Sequence, residues 1–339
     1  MSDDMLSGQT IVCFGNDWSA DPTSKHHIMR RLARSNRILW VESAGMRAPN
    51  LLRRSDGRRL LHKARLMLAG PRRVAERVHV LAPPTLPIPG SRIAGWVNAI
   101  LMRAAITRAL RAIGSTTPPI LWVFAPHVAF WIARLPRRSM VYHCVDRWSA
   151  FAGYDPEQME ACEEQLCRTA EVVVASAEDL VARCRRYRDE VHYVAHGVDY
   201  EHFAKALEPG PLPPDLADSP SPRVGFFGMI HEWVDVELIG RLADCLPYSF
   251  VLIGTSDQNL DELARRPNVY VLGRRPFTSL PDYCRGFAVT IIPFRRNELT
   301  HAVNPIKLRE YAAAGLPVVS TDLPEVRRCG DIVTCVTSD

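Results

Sequence analysis

Asn304-Pro-Ile-Lys-Leu-Arg-Glu-Tyr-Ala-Ala-Ala-Gly-Leu-Pro-Val-Val-Ser-Thr321 is the stretch whose reading decides the fold. Asn304 is a preferred N-cap, and Pro305 suits the first helical position, where a missing N–H costs nothing. Gly315 fits the C-terminal cap, and Pro317 stops the helix from continuing. Val318-Val319-Ser320 then reads as a short buried strand, so the segment is a helix feeding a strand, the repeating step of an α/β sheet. Lys307 and Glu310 are three residues apart and share one face, while Leu308 and Ala312 form an apolar stripe that can pack on a sheet. A helix start with an adjacent lysine attracts phosphate. A carboxylate one turn further in can accept two hydrogen bonds from a vicinal diol such as a ribose. The combination points to a nucleotide-diphosphate site. The plain alternative is a solvated helix face with an intrahelical ion pair worth a few tenths of a kcal/mol.

The same alternation runs outward from this segment. Strands are expected at Thr10 to Phe14, Arg37 to Glu42, Val78 to Leu81, Ile120 to Phe124, Ser139 to Cys144, Val172 to Ala175 and Val191 to Val194. Helices are expected around Lys25 to Arg34 and over Ser91 to Ile113. Glu208-Pro-Gly-Pro-Leu-Pro-Pro-Asp215 and Ser219-Pro-Ser-Pro222 have linker chemistry, because their prolines bar regular structure. A second sheet begins at Arg223, and Asp331 to Val336 reads as its final strand. The division predicted is residues 1–205, a linker over 206–222, and 223–339.

Several motifs resemble the donor-binding half of retaining GT-B glycosyltransferases of the family 4 type. They are the segment quoted first, Arg223-Val-Gly-Phe-Phe-Gly-Met-Ile-His-Glu-Trp-Val-Asp235, Phe250-Val-Leu-Ile-Gly254, Asn268-Val-Tyr-Val-Leu-Gly273, Leu280-Pro-Asp-Tyr283 and Val289-Thr-Ile-Ile-Pro-Phe294. Val141-Tyr-His-Cys-Val-Asp-Arg-Trp-Ser-Ala-Phe151 and His196-Gly-Val-Asp-Tyr-Glu-His-Phe203 look like a bacterial subgroup tied to teichuronic-acid and exopolysaccharide assembly, the TuaH-like proteins. The resemblance implies an α/β, GT-B architecture: two Rossmann-like domains whose parallel sheets face an interdomain cleft. The first domain would serve the acceptor and the second a nucleotide diphosphate sugar. Proteins of this fold usually finish with helices beyond the last strand, and here the second domain is expected to lack them. Two positions depart from the pattern. An acidic residue often stands eight positions before the one matching Glu310, and here that position is Ala302. An Arg and a Lys often follow the glycine turn, whereas Gly228 is followed by Met229-Ile-His-Glu-Trp233, leaving His231 as the replacement.

The remaining candidates take their roles partly from the resemblance and partly from their places at strand ends and helix starts. Glu310 would hold the ribose hydroxyls, and Lys307 the diphosphate together with Asn304 at the helix start and His231 or Arg295. Gly225 and Gly228 flank a turn that would lie under the donor phosphates, or form a tight turn without a ligand. Thr255 follows Gly254 at a strand's C-terminal end, where open parallel sheets bind ligands. Gly273 and Arg274 would lie against the nucleobase, though Arg274 and Arg275 read equally as surface charges. In the first domain His127, also at a strand end, would contact the transferred sugar, or simply pack under aromatic neighbours. Asp146 would orient an acceptor or sugar, or cap a loop. Lys25, His26 and His27 at a helix start would receive an anionic acceptor group. Lys307, Glu310, His127 and Asp146 are thus the catalytic candidates.

Composition bounds the rest. The chain has 339 residues, 47% hydrophobic and 23% charged, with a net charge of +5. That is an ordinary globular composition long enough for two cores. Nine cysteines without a C-x-x-C pair point to reduced thiols in a cytosol. No run is read as long enough to cross a bilayer, Ile120 to Ala133 being the nearest. Residues 47–77 crowd cations beside leucines, with only Asp56 and Glu76 opposing, an interfacial pattern for an anionic membrane. A solvated arginine-rich helix fits the same pattern. Nucleic acid is excluded as a partner for want of a reading motif. No cofactor and no metal are called for; the donor is a substrate, and a helix terminus with a lysine can replace Mg²⁺. The function expected is transfer of a sugar to a glycan or lipid-linked acceptor in cell-surface polysaccharide biosynthesis, with retention implied by the resemblance alone. A non-catalytic nucleotide-sugar-binding protein and a nucleotide-sugar 2-epimerase are the rivals.

Overall fold

A computed structural model describes residues 6–42, 70–86 and 92–337. The chain forms two compact units, Met1–Val194 and Ala195–Asp339.

The first unit runs β1 (Thr10–Gly15), α1 (Ser24–Leu32), β2 (Arg37–Glu42), β3 (Arg72–Ala75), β4 (Val78–Leu81), α2 (Arg92–Ala112), β5 (Ile120–Val123), α3 (Ala129–Ile132), β6 (Ser139–Cys144), α4 (Pro156–Thr169), β7 (Val172–Ala175), α5 (Glu178–Cys184) and β8 (His192–Tyr193). Its sheet has the order β3-β4-β2-β1-β5-β6-β7-β8 and is parallel except for the β3–β4 pair. The central strands are continuous apolar runs because helices cover both faces of a parallel sheet. Ile11, Cys13, Ile38, Trp40, Val78 and Val80 form one core cluster with Met29 of α1. The order reverses between β1 and β5, so residues just beyond those strands sit at a topological switch point.

The second unit holds α6 (Tyr200–Phe203), α7 (Pro214–Ala217), β9 (Arg223–Phe227), α8 (Val236–Cys245), β10 (Ser249–Ile253), α9 (Asp261–Ala264), β11 (Val269–Gly273), α10 (Leu280–Cys284), β12 (Val289–Ile292), α11 (Glu298–His301), α12 (Ile306–Ala313), β13 (Val318–Thr321), α13 (Pro324–Arg327) and β14 (Val333–Val336). Its six strands run in the order β11-β10-β9-β12-β13-β14, all parallel. Numbered within the unit this is 3-2-1-4-5-6, the Rossmann order, with its switch point between β9 and β12. Phe226, Phe250, Leu252, Ile292, Tyr311 and Val326 are among its buried core.

Three expectations are corrected, and a fourth lies largely outside the described residues. The proline-rich stretch expected as a linker is built into the second unit. Leu216 of α7 is fully buried, and Asp215 holds both Arg275 (2.6 Å) and the Tyr283 hydroxyl (2.9 Å). Prolines there start a short helix rather than bar one, since Pro214 occupies its first position. Asn304 is not the cap of the signature helix. Pro305 takes that place, while the Asn304 amide accepts a hydrogen bond from Arg309 (2.6 Å) and donates one to Glu325 (3.3 Å). The expectation that no run could cross a bilayer also fails: Ile93–Ala112 is a helix long and apolar enough by length and composition. Its small residues and arginines hid it from a reading by apolar runs. Finally, β3 lies within the basic segment 47–77, whose residues 47–69 fall outside the described residues.

Candidate functional site

In the second unit the C-terminal ends of β9, β10 and β11 are stitched together by backbone. Gly228 N–H donates to Ile253 (2.8 Å), Gly254 N–H donates to Gly273 (3.0 Å), and Ile230 N–H donates to Thr255 (2.9 Å). Two of these positions require glycine. Gly228 has φ +143° and Gly254 φ +151°, a region that L side chains rarely adopt. A Cβ at Gly254 would stand 1.8 Å from the Gly228 carbonyl oxygen, and one at Gly228 would stand 2.8 Å from Lys307 Cε. Gly225 has a different reason: a Cβ there would meet the Phe287 ring at 2.3 Å, so its need is packing inside the sheet.

Helix α12 delivers Lys307 and Glu310 beside this turn. Their spacing puts both on one face, and the ammonium donates to the Glu310 carboxylate at 2.8 Å. Glu310 is buried while Lys307 is partly exposed, its Nζ 4.7 Å from the centre of the Phe227 ring. One residue on, Tyr311 is buried and its hydroxyl accepts from Phe227 N–H (3.2 Å). That bond pins α12 to the end of β9 and holds the lysine over the glycine turn. Tyr311 was not among the residues singled out in the sequence; its polar tip is what ties the helix to the strand.

His231 lies beyond the turn, its Nε2 2.6 Å from Asp257 and its ring stacked on Trp233 at 4.3 Å. Gln258 donates to the His231 carbonyl (2.5 Å) and to Val234 (3.1 Å), fixing the loop. Thr255 is exposed at the end of β10, and Arg274 is exposed after Gly273. Arg275 is taken up structurally by Asp215 and Tyr283. Arg295 lies 3.7 Å from Asp235 and from Glu237. The position eight before Glu310, Ala302, is fully buried at the end of α11. Asn304, tied to Arg309 and Glu325 as described, is buried near the start of α12.

The first unit gathers a second group at its own switch point. Lys25 on α1 lies 3.7 Å from Asp146, which follows β6, and 5.4 Å from the Trp148 ring. Burial raises the Asp146 carboxyl above its ordinary value, and Lys25 opposes that shift. The Asp146 side chain keeps 30% exposure, which limits the desolvation. His127 is buried between Trp131 and Trp148 at 6.0 and 6.2 Å. Neither of its ring nitrogens has a hydrogen-bond partner. Burial, with a smaller push from Lys25, lowers its pKa to about 4, so the ring is neutral. His26 is not available for an anion. Its ring stacks on Trp40 at 4.8 Å, and its Nδ1 accepts from Thr23 N–H (3.1 Å) in a capping box. Burial first and Arg30 second bring it down to about 4. His27 is half-buried on the same helix. His143, not singled out in the sequence, is buried against Phe124 with both ring nitrogens unpartnered and is also lowered to about 4, chiefly by burial. Its place inside a strand pattern gave no signal.

Residues 221–336 match the family of glycosyl transferases group 1. Among curated proteins the chain is 27% identical over 225 residues to TuaH of Bacillus subtilis (strain 168), whose name assigns it to glycosyl transfer in teichuronic acid biosynthesis. That alignment takes in 61% of this chain and 56% of TuaH, so the chain matches a little over half of that relative's length. Among solved structures, sucrose-phosphate synthase from Thermosynechococcus elongatus superposes with a TM-score of 0.69 at 13% identity, covering 98% of this chain and 86% of that one. Anabaena HepE in complex with UDP-glucose gives 0.62 at 14% identity, covering 97% and 85%. Within the second unit, residues 221–336 thus resemble a glycosyl transferases group 1 domain, and the chain has the α/β fold of the GT-B glycosyltransferases.

Proposed function

We propose that the protein transfers a sugar from a nucleotide diphosphate sugar to a glycan or lipid-linked acceptor in cell-surface polysaccharide biosynthesis. The observation that carries this reading is the Lys307–Glu310 pair, 2.8 Å apart, on a helix pinned beside the Gly228 turn. The buried carboxylate suits the ribose hydroxyls, and the lysine suits the diphosphate, whose charge grows as the sugar departs. His231, three residues beyond Gly228 and held by Asp257 at 2.6 Å, is the further candidate for meeting that charge. HepE, of the same fold, is described in complex with UDP-glucose, which supports a uridine nucleotide as the first donor to try. In the first unit Lys25, Asp146 and the neutral His127 are the acceptor- and sugar-side candidates. The reaction proposed retains anomeric configuration and needs no metal, the lysine and glycine turn taking over charge stabilisation. The name of TuaH supports a polysaccharide acceptor. All nine cysteines are free thiols, six of them buried, which supports a reducing cytosolic setting.

Thermal shift against a panel of nucleotides and nucleotide sugars tests the donor, because a ligand at one hundred times its Kd stabilises by about 2.7 kcal/mol. Incubation of the stabilising donor with an acceptor extract then tests transfer. A donor that binds but is neither transferred nor hydrolysed would favour the second reading, a non-catalytic nucleotide-sugar-binding protein. Ala302 and the uncharged Met229-Ile230 after the turn are the observations behind that reading.

A further inference from the structure

Helix α2 presents an apolar exposed face that the donor site does not use. Ile93 is 77% exposed, Trp96 65% and Ile100 47%, at helical spacing on one side. The opposite side is anchored to the first unit: Ala94, Asn98, Met102, Ile106 and Ala109 are buried. Asn98 clamps the chain before the helix, accepting from Leu86 N–H (2.7 Å) and donating to its carbonyl (3.1 Å). Leu86, held there, is itself 41% exposed. The neighbouring α3 packs on α2 and exposes Phe130. Further along α2 the exposed side turns cationic, with Arg103, Arg108 and Arg111 all exposed. Neither helix carries a carboxylate, and after Glu76 the next acidic residue is Asp146. The acidic helix α4 packs on α3, but its Glu160 pairs with Arg183 and its Glu164 with Arg168.

We propose that this face lies flat on an anionic lipid bilayer, with Trp96 and its apolar neighbours entering the headgroup region and the arginines meeting lipid phosphates. The chemistry is that of an interfacial helix: aromatic and branched groups on the wet side, cations beside them, and no carboxylate on either helix. The occupant is a surface and not a spanned core, because the buried side of α2 is committed to the protein through Met102, Ile106 and the Asn98 clamp. The face lies on a different stretch of the sequence from the basic segment 47–77, and the proposal is independent of the donor reading.

Flotation of the full chain with vesicles of phosphatidylcholine alone, and with about 30% phosphatidylglycerol added, tests the proposal. Binding is expected only to the anionic vesicles. Replacing Arg103, Arg108 and Arg111 by Gln is expected to weaken it at least roughly tenfold, given about a factor of five per cation near such a surface. Ile93→Ser with Trp96→Ser is expected to weaken it similarly at unchanged melting temperature, since both side chains are exposed. Two results would overturn the proposal. One is full binding by both folded variants, which places the lipid contact elsewhere. The other is no vesicle binding by the parent protein, including the case where sedimentation shows a dimer that the Trp96 variant dissociates.

Discussion

Replacing Glu310 by Gln isolates the charge at the centre of the proposed donor site. The amide keeps the size and one acceptor of the carboxylate, so the burial of the side chain and the Tyr311–Phe227 bond of the same helix are left intact. What is lost is an anionic acceptor that now faces Lys307 at 2.8 Å. A hydrogen bond to a charged group contributes about 1.5–3 kcal/mol. Loss of one such bond to a ribose hydroxyl therefore raises the Kd of a nucleoside diphosphate by roughly tenfold to more than a hundredfold. Stability should fall less than for a fully buried ion pair, because Lys307 keeps 22% exposure and gains water as its partner is neutralised. Isothermal calorimetry with UDP on parent and variant, at one pH and salt, gives the comparison, and the melting temperature of each shows that both are folded. An affinity within twofold of the parent (within experimental error of about 0.4 kcal/mol) would remove Glu310 from the nucleotide and with it the reading of this helix.

Further outcomes follow from other parts of the molecule. Gly254→Ala should destabilise the second unit by about 2–4 kcal/mol, because the clash is with backbone and the dihedral is strained; urea unfolding followed by a probe in that unit checks it, and an unchanged midpoint would refute the close approach of Gly254 to Gly228. His26, His127 and His143 are each lowered to about 4 by burial. A folded value below the ordinary value of about 6.5 favours the neutral ring, so this stability is complete above that pH and drains as the pH falls toward 4, by something on the order of 1–2 kcal/mol per histidine near pH 5. Melting temperatures between neutral pH and pH 5 should fall steeply, and His143→Phe should flatten the slope; a flat parent profile would contradict the burial of these rings. Asp215→Asn, which removes the acceptor shared by Arg275 and Tyr283, should cost about 1–2 kcal/mol in chemical denaturation without altering nucleotide affinity; a loss of affinity would mean that Arg275 serves the donor after all.

The strands were legible because parallel sheets covered on both faces need unbroken apolar runs, and those at Arg37–Glu42, Val78–Leu81, Ser139–Cys144 and Val172–Ala175 occur with the bounds read from the sequence. β3 was not, since Arg72-Arg73-Val74-Ala75 is an edge strand whose residues are largely exposed and whose pairing comes from β4. The approach of Lys307 to Glu310 was legible from helical spacing alone. The role of Asn304 was not: cap preference is a local rule, and here Arg309 and Glu325 compete for the amide from outside the cap. His26 shows the same limit. Its position at a helix start suggested an anion, but Trp18 and Trp40 close over it and the ring turns inward to Thr23. Which side of α2 is wet also follows from packing that periodicity does not report.

The backbone bonds joining Gly228 to Ile253, Gly254 to Gly273 and Ile230 to Thr255 have a dynamic consequence. Because each turn is fastened to the neighbouring strand's exit, one cannot open while the others stay closed. The three amides should therefore behave as one cooperative unit in hydrogen–deuterium exchange, released together and, on the proposed donor reading, shielded together by a bound nucleotide. A loop that fluctuated alone would have to be ordered anew at each encounter, whereas a tripod of this kind meets its ligand already shaped.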